Sequence, residues 1–142
     1  MPNTNLPHNV PASPATTPTQ ARPLLVRSGD LPGSPEAHQF IGAEHGALPI
    51  SLFLVNDRPG AGPLLHRHPY PELFIVHTGH AEFEIDRAVL VAVAGDILIA
   101  PAGTAHRFTN IGEERLCITA IHTAPNMDTE WLAPGPAKGT PC

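Results

Sequence analysis

The sequence predicts an all-β domain, a sandwich or barrel of short antiparallel strands. Three observations carry that expectation. No segment before residue 126 sustains a helical period of apolar residues. Short runs that are either apolar throughout or strictly alternating recur at near-regular spacing. Glycine- and proline-containing turns separate most of them, as in sandwiches and barrels.

Residues 1–21 carry proline, threonine, asparagine and alanine with few apolar side chains. Such a segment buries too little apolar surface to offset its ordering entropy, so it is expected to be disordered, with His8 solvated. The barrel is expected over residues 22–133 and a flexible tail over 134–142. Leu24-Leu25-Val26 reads as a short edge strand, and 28–36 as a turn-rich loop with Gly29, Pro32, Gly33 and Pro35. Gln39–Ala43 and Ala47–Asn56 read as a hairpin about Glu44-His45-Gly46, which leaves His45 at the surface. Ile50–Val55 is almost continuously apolar, the pattern of a strand covered on both faces. Leu73–His77 follows, then a tight turn at Gly79. Ala81–Asp86 alternates, with Phe83 and Ile85 on one face and acids on the other. Arg87-Ala88 supplies a weak turn, without the glycine or asparagine a tight hairpin favours. Val89, Val91 and Val93 alternate next. Ile97–Ala100, Ala105–Asn110 and Arg115–His122 complete the strands. Met127–Leu132 is expected to form one helical turn anchored by Trp131.

Composition narrows the function. The chain has 142 residues, enough for one domain, and a net charge of -5 with Lys138 as its only lysine. No basic patch can neutralise a phosphate backbone, so nucleic acid is not expected as a partner. No apolar run approaches a membrane span, and the N-terminus has neither the basic nor the apolar region of a secretory signal. The expected location is the cytoplasm. Cys117 and Cys142 are too few for a cysteine zinc site.

The chemistry concentrates in Gly60–Gly79. His66 and His68 share one face of an extended chain, and Pro69 holds His68 extended. Glu72 has the same parity. Two imidazoles and a carboxylate converging suggest a first-row divalent metal; the competing reading is three surface polar groups. A second motif, Gly95–Asn110, shifts that balance. There Pro101 and Gly103 form a turn that delivers His106 onto a strand.

Together the motifs resemble those of small single-domain cupins, G-x5-H-x-H-x3-E-x6-G and G-x5-P-x-G-x2-H-x3-N. All ten fixed positions are filled, by Gly60, His66, His68, Glu72 and Gly79 and by Gly95, Pro101, Gly103, His106 and Asn110. The resemblance implies a double-stranded antiparallel β-barrel of jelly-roll type, often dimeric, with a metal inside. It implies His66, His68, Glu72 and His106 as ligands.

Such a donor set suits iron(II), manganese(II), nickel(II) or zinc(II). In an octahedral ion it leaves two positions open, for water, dioxygen or a substrate with two oxygen donors. Tyr70 and His122 are the catalytic candidates beside it. Tyr70 competes with a reading as a rim aromatic, His122 with one as a strand-end histidine satisfied by backbone. His77 is expected at the surface or a dimer contact, and His80 exposed. Inward residues such as Phe74, Val76 and Phe108 make an apolar pocket, and no cation points inward, which disfavours a phosphorylated sugar. The expected substrate is a small neutral or aromatic oxygenated molecule. The expected function is a metal-dependent dioxygenase, or a Lewis-acid isomerase, cyclase or lyase; the alternative is a binding barrel without catalysis. The apolar outer face of Cys117, Thr119 and Ile121, with the Ile50–Val55 strand, suggests a homodimer. Cys117 is expected to be an inert buried thiol.

Overall fold

The computed structural model describes residues 22–132. The segment expected to be disordered and the expected tail, with His8 and Cys142, lie outside the described residues. The strands are β1 (Gly33–Ser34), β2 (Ala37–Phe40), β3 (Ser51–Asp57), β4 (His66–Arg67), β5 (Glu72–Thr78) and β6 (His80–Ile85). They continue as β7 (Ala88–Val93), β8 (Ile97–Ala100), β9 (His106–Asn110), β10 (Leu116–His122) and β11 (Glu130–Trp131). They form a six-stranded sheet, β1-β2-β3-β10-β5-β8, and a five-stranded sheet, β11-β4-β9-β6-β7. Every pairing is antiparallel. The two sheets make a jelly roll, as expected, although no ladder among the described residues closes them into one continuous barrel.

Period-two burial follows from the pleat. In β5 Glu72, Phe74 and Val76 are buried, while Leu73 and Ile75 are only partly covered. In β10 Leu116, Ile118, Ala120 and His122 are buried. The interior is closed by Phe74, Phe83 and Phe108, whose rings lie 5.0 to 6.0 Å apart at centroid. That aromatic cluster leaves one end of the sandwich to the polar residues.

Several expectations need correction. Leu24-Leu25-Val26 forms no strand; Leu24 and Leu25 are 67% and 81% exposed, with no neighbouring ladder to pair them. The hairpin exists, but as β2 against β3, joined through a 3₁₀ turn at Gly42–Glu44. His45 there is half-buried, its ring stacked on Phe40 at 4.2 Å. Within the single chain β3 has Ser51, Phe53, Val55 and Asp57 buried, and Leu52 and Leu54, on the face where a subunit contact is the expected cover, half-buried. The turn expected at Arg87-Ala88 sits one residue earlier, because Asp86 adopts a positive φ of 56°, a conformation that aspartate tolerates better than most residues. The expected helical turn at Met127–Leu132 is instead extended; Glu130 pairs with Arg67 and Trp131 with His66. A six-residue segment cannot sustain a helix without help, and the open edge of β4 offers it a ladder.

Candidate metal centre

The site is two cross-strand pairs that face each other. His66 on β4 is opposite His106 on β9 in the five-stranded sheet. Glu72 on β5 is opposite His122 on β10 in the six-stranded sheet. His68 lies in the link from β4 to β5 where the chain crosses between sheets. All five side chains are at most 2% exposed. The turn from Pro101 ties the two motifs together: Gly103, at φ 72°, donates its N–H to the His68 carbonyl at 2.7 Å. The ligating atoms of His66, His68, Glu72 and His106 all lie within 4.8 Å of one another.

Each of the three imidazoles is oriented by a backbone carbonyl. Nδ1–H of His66 donates to Leu64 at 2.7 Å, that of His68 to Asp128 at 2.8 Å, and that of His106 to Thr104 at 2.8 Å. In the neutral rings the proton therefore sits on Nδ1 and the Nε2 lone pairs point into the site. Nε2 of His66 is buried without a hydrogen-bond partner. Those of His106 and His68 lie 2.8 and 3.0 Å from Oε2 of Glu72. Lone pairs facing a carboxylate at that distance repel unless positive charge lies between them. A divalent cation would supply it, and carbonyl-oriented imidazoles are the usual support of a metal site. Three nitrogen donors and one oxygen donor fit iron(II), manganese(II), nickel(II) or zinc(II).

Electrostatics agree. Burial pushes the Glu72 carboxyl up; protons on the facing nitrogens of His106, His122 and His68, or a cation in their place, outweigh burial and hold it below the usual carboxylate range. Glu72 is thus a buried anion. Burial pushes the His66 imidazole down to about 4, so it stays a neutral donor near pH 7.

Tyr70 and His122 meet at the edge of this group. The Tyr70 hydroxyl is 2.7 Å from Nδ1 of His122 and accepts the Asp128 N–H at 3.0 Å. Nε2 of His122 is 3.1 Å from Oε1 of Glu72, off the ideal line of a hydrogen bond. Burial pushes the Tyr70 phenol up to about 12.

The family profile for the cupin domain matches residues 53–122. This chain is a cupin-domain protein. Over 100 residues it is 32% identical to a protein described as polyketide synthase CurC from Streptomyces cyaneus, covering 70% of this chain and 58% of that one. It is 25% identical to auxin-binding protein 1 from Arabidopsis thaliana, over 84% of this chain and 71% of that one. Among solved structures, an oxalate oxidase superposes with a TM-score of 0.65 at 19% identity, over 77% of this chain and 63% of that one. The oxalate decarboxylase of Lactobacillus farciminis, in a formate complex, superposes with a TM-score of 0.64 at 25% identity, over 73% of this chain and 34% of that one. The cupin thus spans less than two thirds of the Streptomyces protein and of both enzyme structures.

In this cupin all four expected ligands come together, and both Tyr70 and His122 lie beside them. His77 is exposed, with Nε2 2.7 Å from Thr119 Oγ1, and His80 is exposed. Cys117 is half-buried, its thiol 3.6 Å from Asn56 Oδ1. Phe74, Phe83 and Phe108 point inward as expected and pack against one another beside the site. A recess of about 260 Å³ beside the site is lined by Arg67, His68, Pro69, Gly103, Asp128 and Glu130. Sequence reasoning missed Asp128–Trp131 as part of the site. Trp131 lies 5.1 Å from the His66 ring, and Glu130 pairs with Arg67 at 2.7 Å. The missed signal was Arg67, which alternates outward between the two histidines and needs an acidic partner. Asn110 is a staple rather than a ligand; its Nδ2 donates to the carbonyls of Asp57 and Glu114 at 3.1 and 2.7 Å.

Proposed function

We propose that this protein is a metal-dependent enzyme acting on a small oxygenated compound, neutral or aromatic, as a dioxygenase or as a Lewis-acid isomerase, cyclase or lyase. The observation that carries it is the set of three buried imidazoles whose Nδ1–H groups are all tied to carbonyls, leaving three lone pairs around one carboxylate. His66, His68, Glu72 and His106 would hold one divalent ion. Bound there, it supplies a Lewis acid or, as iron, a redox centre. Tyr70 and His122 are the neighbours that form a polar chain ending 3.1 Å from Oε1 of Glu72. The likeness to a polyketide synthase supports a substrate with several carbonyl or phenolic oxygens. The recess of about 260 Å³ beside His68 is the approach, which suits a compact molecule.

A second reading is a binding barrel without turnover. It is favoured by the filled aromatic interior, which leaves little room for a bulky substrate. Oxygen uptake and product formation, measured with iron, manganese, nickel and zinc over a panel of diketones and phenols, separate the two. Turnover lost in His106→Ala supports the enzyme; tight ligand binding with no turnover on any metal supports the barrel.

A homodimer is part of the same proposal. The outer face of the six-stranded sheet carries half-buried Leu52, Leu54, Leu73, Ile75 and Ile121 beside Ile97 and Ile99, which are 62% and 60% exposed. A second copy of the chain would cover that face; the N-terminal segment or Trp131 is the competing cover. Light scattering should give twice the 15.0 kDa chain mass; a monomer at micromolar concentration would remove this part.

A further inference from the structure

The site contains a fourth buried imidazole, and it is wired in the opposite sense to the other three. His66, His68 and His106 each present Nδ1 to a backbone carbonyl. His122 presents Nδ1 to the Tyr70 hydroxyl at 2.7 Å. That hydroxyl already accepts the Asp128 N–H at 3.0 Å, so its own proton is available to His122. Nδ1 of His122 is then an acceptor and Nε2 carries the hydrogen. The far side of the ring demands the same answer. Nε2 is 3.1 Å from Oε1 of Glu72, and a lone pair there would face a buried carboxylate. Two independent contacts thus select the Nε2–H form.

We propose that His122 is a positioning residue: held as the Nε2–H tautomer by Tyr70, it occupies Oε1 of Glu72, so that Oε2 alone faces His66, His68 and His106. His122 also falls outside the group whose ligating atoms lie within 4.8 Å of one another. Without the hydroxyl of Tyr70 its Nε2 could carry a lone pair and compete as a ligand. The peptide around Asp128 sets both tautomers, its carbonyl taking the His68 proton and its N–H directing Tyr70. The extended segment from Asp128 to Trp131 therefore belongs to the site as an orienting strap.

The proposal rests on the metal reading of the four-residue group, and its test separates the two. The full chain, labelled with ¹⁵N-histidine, is studied by long-range ¹H–¹⁵N correlation with and without zinc(II), and zinc affinity is measured by competition. The expected result is an Nε2–H signature for His122 and Nδ1–H for His66, His68 and His106. Tyr70→Phe should end the single tautomer of His122 and weaken zinc about tenfold. His122→Leu should weaken zinc at least about tenfold, while His122→Gln, whose amide can still donate to Oε1, should stay within about threefold. An Nδ1–H signature for His122 in the unmodified chain, or unchanged zinc affinity in His122→Leu, overturns the proposal and leaves the metal reading standing. A chain that takes up no zinc at all overturns both, whatever the tautomer.

Discussion

Oε2 of Glu72 lies 2.8 Å from Nε2 of His106, although the two residues are 34 positions apart and belong to different sheets. The imidazole already spends its Nδ1–H on the Thr104 carbonyl, so the contact is between a lone pair and a carboxylate. Positive charge is what makes it tolerable. Glu72→Gln keeps the shape and removes the charge. It should weaken divalent metal binding at least about a hundredfold, read by calorimetric titration, while circular dichroism of the metal-free variant stays that of the parent. Undiminished affinity would mean that the carboxylate is not a ligand.

Acid should destabilise the metal-free protein in a defined window. Burial holds His66 at about 4 in the folded state, against about 6.5 in an unfolded chain. Between those values the unfolded chain binds more protons, so stability rises with pH. It is complete above about 6.5 and is lost as pH falls toward 4. The loss from pH 7 to pH 5 should be on the order of 2 kcal/mol in urea denaturation, and His66→Gln should remove most of that slope. A flat profile in the parent would show that His66 is not buried as described.

Phe74 separates the metal end from the apolar end. It is fully buried, 5.0 Å from the Phe83 ring and 5.8 Å from that of His106. Phe74→Ala should cost about 3–5 kcal/mol of stability, and Phe74→Leu much less. Because the ring abuts His106, the alanine variant should also bind metal more weakly. Denaturant midpoints and metal titration on the same samples check both effects.

Gly103 holds a left-handed φ of 72° and donates to the His68 carbonyl. A β-branched residue pays for that conformation, so Gly103→Val should cost about 1–2 kcal/mol, while Gly103→Asn should be milder. Thermal midpoints should fall in that order. Equal midpoints for valine and glycine would mean that the turn relaxes without loss.

The metal group was legible because its residues obey two local rules. Strand parity puts His66 and His68 on one face, and proline–glycine turns deliver His106. The jelly roll was legible from short alternating runs. The strap was not, because Glu130 and Trp131 become a strand only by pairing with Arg67 and His66, and a two-residue ladder leaves no periodic trace. The filled interior escaped for a related reason: parity shows that Phe74, Phe83 and Phe108 point inward, but not that their rings meet. Asp86 escaped because a positive φ at aspartate has no strong local signature. Tyr70 was placed at the rim, yet its bond to His122 across 52 positions depends on the fold as a whole.

Elemental analysis of the full chain, purified without an immobilised-metal step, tests the metal centre most directly. The expected result is about one first-row divalent ion per chain, absent when His66 and His68 are both replaced by alanine in a protein that still folds. A folded parent protein with no stoichiometric metal, and none taken up from iron(II), manganese(II), nickel(II) or zinc(II), would contradict it.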